Sequence, residues 1–266
     1  MRIGVKPGQW GWSFAELEAA WAVAEEAGFD VLACFDHVTD SPGGRSAWDG
    51  PSLLSAMAGP TRSISLAIQV VNASLRNPLL FAGQVAVAQA ASGGRVEVGL
   101  GAGSFHLARY DNAAIGVPFT SLAERMDRLE ACCRTLPGLW RGERVTDPML
   151  GLRDASLGPL DIDPPKLWVG GASDRALEIA ARFADGWHGS GGEEERFAEL
   201  CGRLDELADR AGRPIDKSMQ LWATELEGLR GRAERLRDAG ASTVILVLDA
   251  ESRGPDAVRR LADAVL

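Results

Sequence analysis

The chain has 266 residues, 46% hydrophobic and 24% charged, a size that suits one large α/β barrel or two small domains. Its net charge is −9 with a pI near 5.0, its lysines are Lys6, Lys166 and Lys217 alone, and its arginines scatter among acids. A nucleic-acid partner needs a basic stripe to neutralise phosphates and an anionic membrane surface needs a basic patch, so the composition argues against both.

In chain order, strand-length apolar runs alternate with helical patterns. Residues 2–6 read as a strand, and 14–27 as a helix opened by a capping box of Ser13 and Glu16. A strand at 31–35 and another at 64–71 precede a helix at 78–91, which starts on Pro78 after Asn77. A strand at 96–100 leads to a helix at 122–136, then to an irregular Gly-, Pro- and Asp-rich excursion over 142–165. Strands at 167–169, 186–188, 219–223 and 243–248 follow, interleaved with helices at 173–183, 194–211, 226–239 and 255–266. Several of the strands are apolar nearly throughout, which is the pattern of strands buried on both faces of a parallel sheet. An internal echo supports repetition: at Gly28 and again at Gly240 a helix stops on a glycine and a strand begins at once. Eight strands alternating with helices predict a single-domain (β/α)8 TIM barrel, with a doubly wound open sheet as the alternative.

Cys34, Cys132, Cys133 and Cys201 show no metal-ligand spacing, and the N-terminus opens into a strand without an apolar leader. No run approaches the roughly 18 apolar residues of a membrane span. Reduced, packed cysteines and a cytoplasmic location are the expectation.

In such a barrel the residues just past the strand C-termini face the active site. These are Asp36 and His37 after the second strand, Asn72 after the third, the run Gly99 to Ser104 with His106 after the fourth, Gly170 to Ser173 after the fifth, and His188 to Gly192 after the sixth. All three histidines thus fall at one end. Histidine titrates near neutrality, and a neighbouring carboxylate can orient it, so His37 with Asp36 is the leading acid/base pair. The glycine run does not fit G-x-G-x-x-G, because Ser104 and His106 stand where the third glycine belongs. It suits close approach of backbone to a flat ring or a phosphate. Gly170-Gly171-Ala172 leads into a helix start that favours an anion, with Arg175 adding charge, and Ser190-Gly191-Gly192 is a second such turn. Trp10, Trp12, Trp48 and Trp187 are candidates to wall the pocket; Trp21, Trp140, Trp168 and Trp222 sit at core spacing.

These segments together resemble the luciferase-like monooxygenase superfamily, and within it the branch that uses the deazaflavin coenzyme F-420. The resemblance is carried by Ala24 to Asp30 running into Phe35-Asp36-His37, by Thr61 to Leu66, by Arg76-Asn77-Pro78, by Ser92-Gly93-Gly94-Arg95 into Gly99 to Gly103, by Gly116 to Phe119, by Leu139 to Gly142, by Leu167 to Gly171, and by Ala184-Asp185-Gly186-Trp187. It implies a bacterial-luciferase-like barrel, a homodimer, and a flavin-type ring over the strand ends. His37 would be the acid/base beside the ring with Asp36 as its neighbour. A cis peptide at Gln69–Val70 would lie against the ring, Asn72 at its edge, and Gly101, Ala102 and Gly103 near it. Gly170, Gly171 and Ala172 with Ser190, Gly191 and Gly192 would hold the phosphate. The chain departs from the pattern at Ser104, where some deazaflavin dehydrogenases carry a catalytic Glu, which leaves His106 to replace that acid.

The function implied is hydride transfer between the deazaflavin and a small organic substrate, with no metal. The alternatives are an FMN-dependent two-component monooxygenase supplied with reduced flavin by a partner reductase, and a non-catalytic flavin-binding barrel.

Overall fold

The computed structural model describes residues 1–40, 45–103, 107–191, 193–248 and 252–266. Eight parallel strands close into a barrel: β1 (Arg2–Lys6), β2 (Val31–Cys34), β3 (Ser65–Asn72), β4 (Val96–Gly101), β7 (Lys166–Gly170), β8 (Gly186–Ser190), β9 (Asp216–Ala223) and β10 (Thr243–Leu248). Around the ring the order is β1-β10-β9-β8-β7-β4-β3-β2, so sequence neighbours are spatial neighbours throughout. The barrel predicted from the alternation is therefore the fold, and the open-sheet alternative falls.

The helices outside are α1 (Phe14–Glu26), α2 (Gly50–Met57), α3 (Pro78–Ser92), α4 (Ala108–Ala114), α5 (Leu122–Trp140), α6 (Asp174–Phe183), α7 (Glu194–Ala211), α8 (Leu229–Asp238) and α9 (Pro255–Val265). Their starts are local. Ser13 and Glu16 make the predicted capping box on α1, Ser121 and Glu124 make another on α5, and Asn77 Oδ1 accepts from Leu79 N and Leu80 N before α3. None of the helices among the described residues is long and apolar enough to cross a membrane.

Three elements differ from the sequence reading. Between β2 and β3, where the sequence reading names no helix, lies α2, capped by Asp49 and with Pro51 in its first turn. The stretch after β4 contains the short α4. The excursion over 142–165 holds a hairpin of β5 (Val145–Asp147) and β6 (Leu152–Ala155), whose Leu150 and Leu152 are buried and whose Asp147 pairs with Arg134 of α5 at 2.7 Å. The segment was too polar to show a strand period, and its contact with α5 supplies the burial that its composition lacks.

Because side chains alternate across a strand, the barrel register decides which residues fill the interior. Arg2, Gly4 and Lys6 of β1 stand level with Thr243, Ile245 and Val247 of β10, and the same parity runs through Ser218, Gln220 and Trp222 of β9 and Gly186, His188 and Ser190 of β8. Val31, Ala33, Ala67 and Ile245 form a closed apolar cluster inside. Arg2 and Glu97 pair at 2.7 Å near the strand N-termini. Trp168 fills the centre, and Gly186 leaves room for it: a Cβ there would lie 2.2 Å from the indole. The larger apolar core lies between the sheet and the helices.

Two predictions follow from this packing. Gly186→Ala forces its methyl into a rigid, buried ring, so denaturant titration should show a loss of about 1–3 kcal/mol, typical of overpacking; unchanged stability would mean that Trp168 does not occupy this space. The second concerns Glu25 in the last turn of α1, whose carboxylate accepts from the N–H groups of Arg62, Ser63 and Ile64 and from Ser63 Oγ. Burial pushes its pKa up, but the bonds from Ser63, Ile64 and Arg62 outweigh that and lower it from 4.5 to about 2. The folded value lies below the unfolded one, so the stabilisation is present above pH 4.5 and is lost as the pH falls toward 2. Glu25→Ala should thus lower stability by about 1–2 kcal/mol at pH 7 after screening, with the gap closing in acid. An equal gap at both ends of the pH range would rule this out.

Candidate active site

The C-terminal mouth of the barrel gathers most of the predicted residues and rearranges their roles. Asp36 is buried, and it does not bond to His37. Its carboxylate is gripped by Arg76 through Nε and Nη2, accepts from Asn72 N at 3.2 Å, and shares Arg76 with Asp49. Burial pushes the Asp36 carboxyl above its usual range, and Arg76 opposes that. The reason that Asp36 cannot serve its neighbour is the backbone: in an extended segment successive side chains point to opposite faces. Phe35 and His37 turn toward the mouth, and Asp36 turns away, between β2, β3 and α2.

The carboxylate that orients His37 is Asp111, in α4. His37 Nδ1 lies 2.7 Å from Asp111 Oδ2, while Asp111 Oδ1 accepts from Val38 N, Thr39 N and Thr39 Oγ1. Burial pushes Asp111 up, and the bonds from His37, Val38 and Thr39 more than offset this and hold it below the usual carboxylate range. An ionised acceptor on Nδ1 places the imidazole proton there and leaves Nε2 as the atom that takes or gives a proton. Trp10 stands beside the imidazole with ring centroids 4.8 Å apart. Sequence reasoning missed Asp111 because its helix is short and its 74-residue separation from His37 carries no local signal.

Asn72 stays at the mouth: its Nδ2 donates to Asn112 Oδ1 at 3.0 Å and its Oδ1 accepts from Ser74 N. The Gln69–Val70 peptide is cis, as the family resemblance implied. The Val70 side chain occupies the space above three glycines: a Cβ on Gly99, Gly101 or Gly170 would lie 3.0, 2.8 or 2.7 Å from it. The sequence reading assigned Gly99 and Gly101 to close approach of backbone to a ring or a phosphate, and Gly170 to the phosphate. Their missing side chains instead make room for Val70, and Gly103 makes room for Asn72, with φ +64 and a would-be Cβ only 2.4 Å from Oδ1.

Below lies Lys6, fully buried at the end of β1, donating to the Gln69 carbonyl at 2.7 Å and to Gln220 Oε1 at 2.5 Å. His188 is not at the rim. It sits inside the barrel, its Nδ1 2.8 Å from Ser218 Oγ, and burial, with Lys6 nearby, lowers its pKa to about 3. It is therefore neutral at pH 7 and is no acid for chemistry there. Of the predicted wall, Trp10 is at the mouth, and Trp187, buried and stacked on Phe197 of α7 at 5.6 Å, lines the cavity at the turns after β7 and β8. Trp222, read as core, is 45% exposed and stacks on Phe35 at 6.2 Å, because β9 places it on the inward parity at the rim.

The turns after β7 and β8 form one shallow cavity lined by Gly171, Ala172, Ser190, Gly191, Arg196 and Phe197, among others. Arg175 does not reach it: its guanidinium pairs with Asp127 and Glu130 of α5 in the helix layer. Arg196, in the first turns of α7, is the arginine at this cavity, and the sequence reading missed it. Ser104, His106 and Gly192 lie outside the described residues.

These features answer to known proteins. A family model for luciferase-like monooxygenases matches residues 2–225. The F420-dependent glucose-6-phosphate dehydrogenase of Beutenbergia cavernae is 28% identical over 276 residues, covering 100% of this chain and 80% of the relative. The F420-dependent hydroxymycolic acid dehydrogenase of Mycobacterium tuberculosis is 30% identical over 214 residues, 78% of this chain and 58% of that one. Among solved structures, an F420-dependent secondary alcohol dehydrogenase in complex with an F420-acetone adduct superposes with a TM-score of 0.79 at 15% identity, over 100% of this chain and 98% of the other. The EDTA monooxygenase of Chelativorans sp. BNC1 superposes at 0.76 and 14% identity, over 100% and 92%. With a barrel of this topology and a family match spanning most of its length, the chain belongs to the luciferase-like monooxygenase family.

Proposed function

We propose that this protein is a deazaflavin-dependent oxidoreductase that moves a hydride between coenzyme F-420 and a small organic substrate, with His37 as acid/base. The observation that carries the reading is the His37–Asp111 pair at the barrel mouth. The relatives that use F420 support the choice of coenzyme.

The residues present fit such a group. Among the described residues Gln69 Oε1 and Asn112 Nδ2 are buried without a hydrogen-bond partner, one an acceptor and one a donor, on the third-strand bulge and beside Asn72. Buried polar atoms left this way favour a polar ligand. The cavity of Gly171, Ala172, Ser190 and Gly191, with Arg196 beside it, offers backbone turns and a cation suited to a phosphate. When bound, the coenzyme supplies the hydride chemistry, and the chain supplies position and charge. His37 Nε2 receives the proton of a substrate hydroxyl, or returns it to a carbonyl. Asp111 holds the imidazole in the one tautomer that permits this. Trp10 shields one side of the imidazole from water.

A second reading is an FMN-dependent monooxygenase served by a reductase, favoured by the likeness in fold to the EDTA monooxygenase. An absolute requirement for oxygen would select it. A cytoplasmic homodimer belongs to the same proposal; the exposed Leu80 and Val87 on α3 support self-association, and light scattering that reads a monomer would remove that part.

The test is anaerobic: candidate alcohols are added with oxidised coenzyme and its visible absorbance is followed. His37→Ala should lower kcat by about 10²–10⁴-fold, the usual contribution of a general base. Asp111→Asn should lower kcat at least about tenfold, as loss of an orienting partner does, with little change in coenzyme affinity. Turnover that survives His37→Ala intact would end the assignment.

A further inference from the structure

Lys6 is a fully buried ionisable group that the function proposed above does not use. Its ammonium is 0% exposed at the mouth end of β1. Its contacts are the Gln69 carbonyl of β3, Gln220 Oε1 of β9, and the face of Phe35, whose centroid lies 4.3 Å away. All three are neutral. Among the described residues, the other titratable groups that face it carry no compensating charge: burial holds Cys34 as a thiol and His188 as a neutral imidazole. Among the described residues, the carboxylates nearby are committed elsewhere, Asp36 and Asp49 to Arg76 and Asp111 to His37. Among the described residues no ion pair of Lys6 is found. A buried cation with only neutral acceptors is unfavourable by itself, and it becomes favourable when a negative charge is brought close.

We infer that Lys6 is an electrostatic positioning residue that makes this site prefer the reduced deazaflavin, which carries added negative charge, over the oxidised form. The inference rests on the coenzyme reading above. When a hydride, one hydrogen with two electrons, leaves the substrate carbon for the ring, the hydroxyl proton goes to His37 Nε2 and the ring gains one negative charge. Lys6 forms and breaks no covalent bond; its charge faces the gain. Burial has already lowered its pKa to about 7, so a neighbouring anion would keep it protonated.

A role confined to structure is the rival: Lys6 ties β1 to β3 and β9 and does nothing else. The two differ in a ratio. Dissociation constants of oxidised and reduced coenzyme are measured anaerobically by ultrafiltration for the unaltered protein and for Lys6→Gln, which retains a donor and loses the charge. The expected result is a rise of about tenfold in Kd(reduced)/Kd(oxidised), equivalent to a fall of about 30 mV in the midpoint potential of the bound coenzyme. A structural role weakens both forms alike and leaves the ratio unmoved, which would overturn the inference. Gln220→Glu provides a second route if Lys6→Gln fails to fold, since a carboxylate against Lys6 cancels its charge while the lysine stays; the same rise is expected, and an unmoved ratio overturns the inference here too. If the unaltered protein binds neither form, the coenzyme reading itself is wrong and this inference goes with it. If it binds both and the ratio ignores the variants, only the inference on Lys6 is wrong.

Discussion

Arg76 holds the Asp36 carboxylate, and the rest of the mouth is arranged around that fact. The pair is buried between the ends of β2 and β3, with Asp49 at the head of α2 as a third member. A buried carboxylate without its cation would be strongly unfavourable, so the three segments are held in one geometry. Asn72 N also donates to Asp36, which fixes the end of β3 where its side chain meets Asn112. With Asp36 consumed in this way, and directed away from the mouth by strand alternation, His37 finds its carboxylate on the far side of the chain, at Asp111. One ion pair thereby decides both the position of the imidazole and the identity of its partner.

The barrel interior separates its charges by depth. Arg2 and Glu97 neutralise each other near the strand N-termini. The middle is closed by Trp168 and by the cluster of Val31, Ala33, Ala67 and Ile245. Lys6, whose partners among the described residues are neutral, is left at the level where the mouth begins. An apolar plug below and, among the described residues, a lysine without a countercharge above make the upper barrel a one-sided electrostatic environment. In a low-dielectric interior such a field acts strongly on charge that develops nearby.

The small residues of the mouth are a packing solution as much as a binding one. Val70 occupies the cradle of Gly99, Gly101 and Gly170, three residues from two strands. The glycine-rich appearance of the fourth strand therefore comes from a contact with the neighbouring third strand, and a reading of that strand by itself attributes it to a ligand.

What the sequence determined by itself was periodic or local. Eight apolar runs between amphipathic stretches specify a parallel barrel, and Ser13 with Glu16, or Asn77 before Pro78, specify helix starts, because hydrophobic burial and capping act over a few residues. The same alternation placed His37, Asn72 and the turns at Gly171 and Ser190 at one mouth. Only the tertiary structure decided which carboxylate serves His37, that His188 is buried and neutral, that Arg196 rather than Arg175 reaches the cavity, and that Trp222 is at the rim rather than in the core. Those outcomes depend on strand register and on the direction of each side chain. Register joins residues tens of positions apart, and a one-residue change in it turns a side chain from the barrel interior to the helix layer.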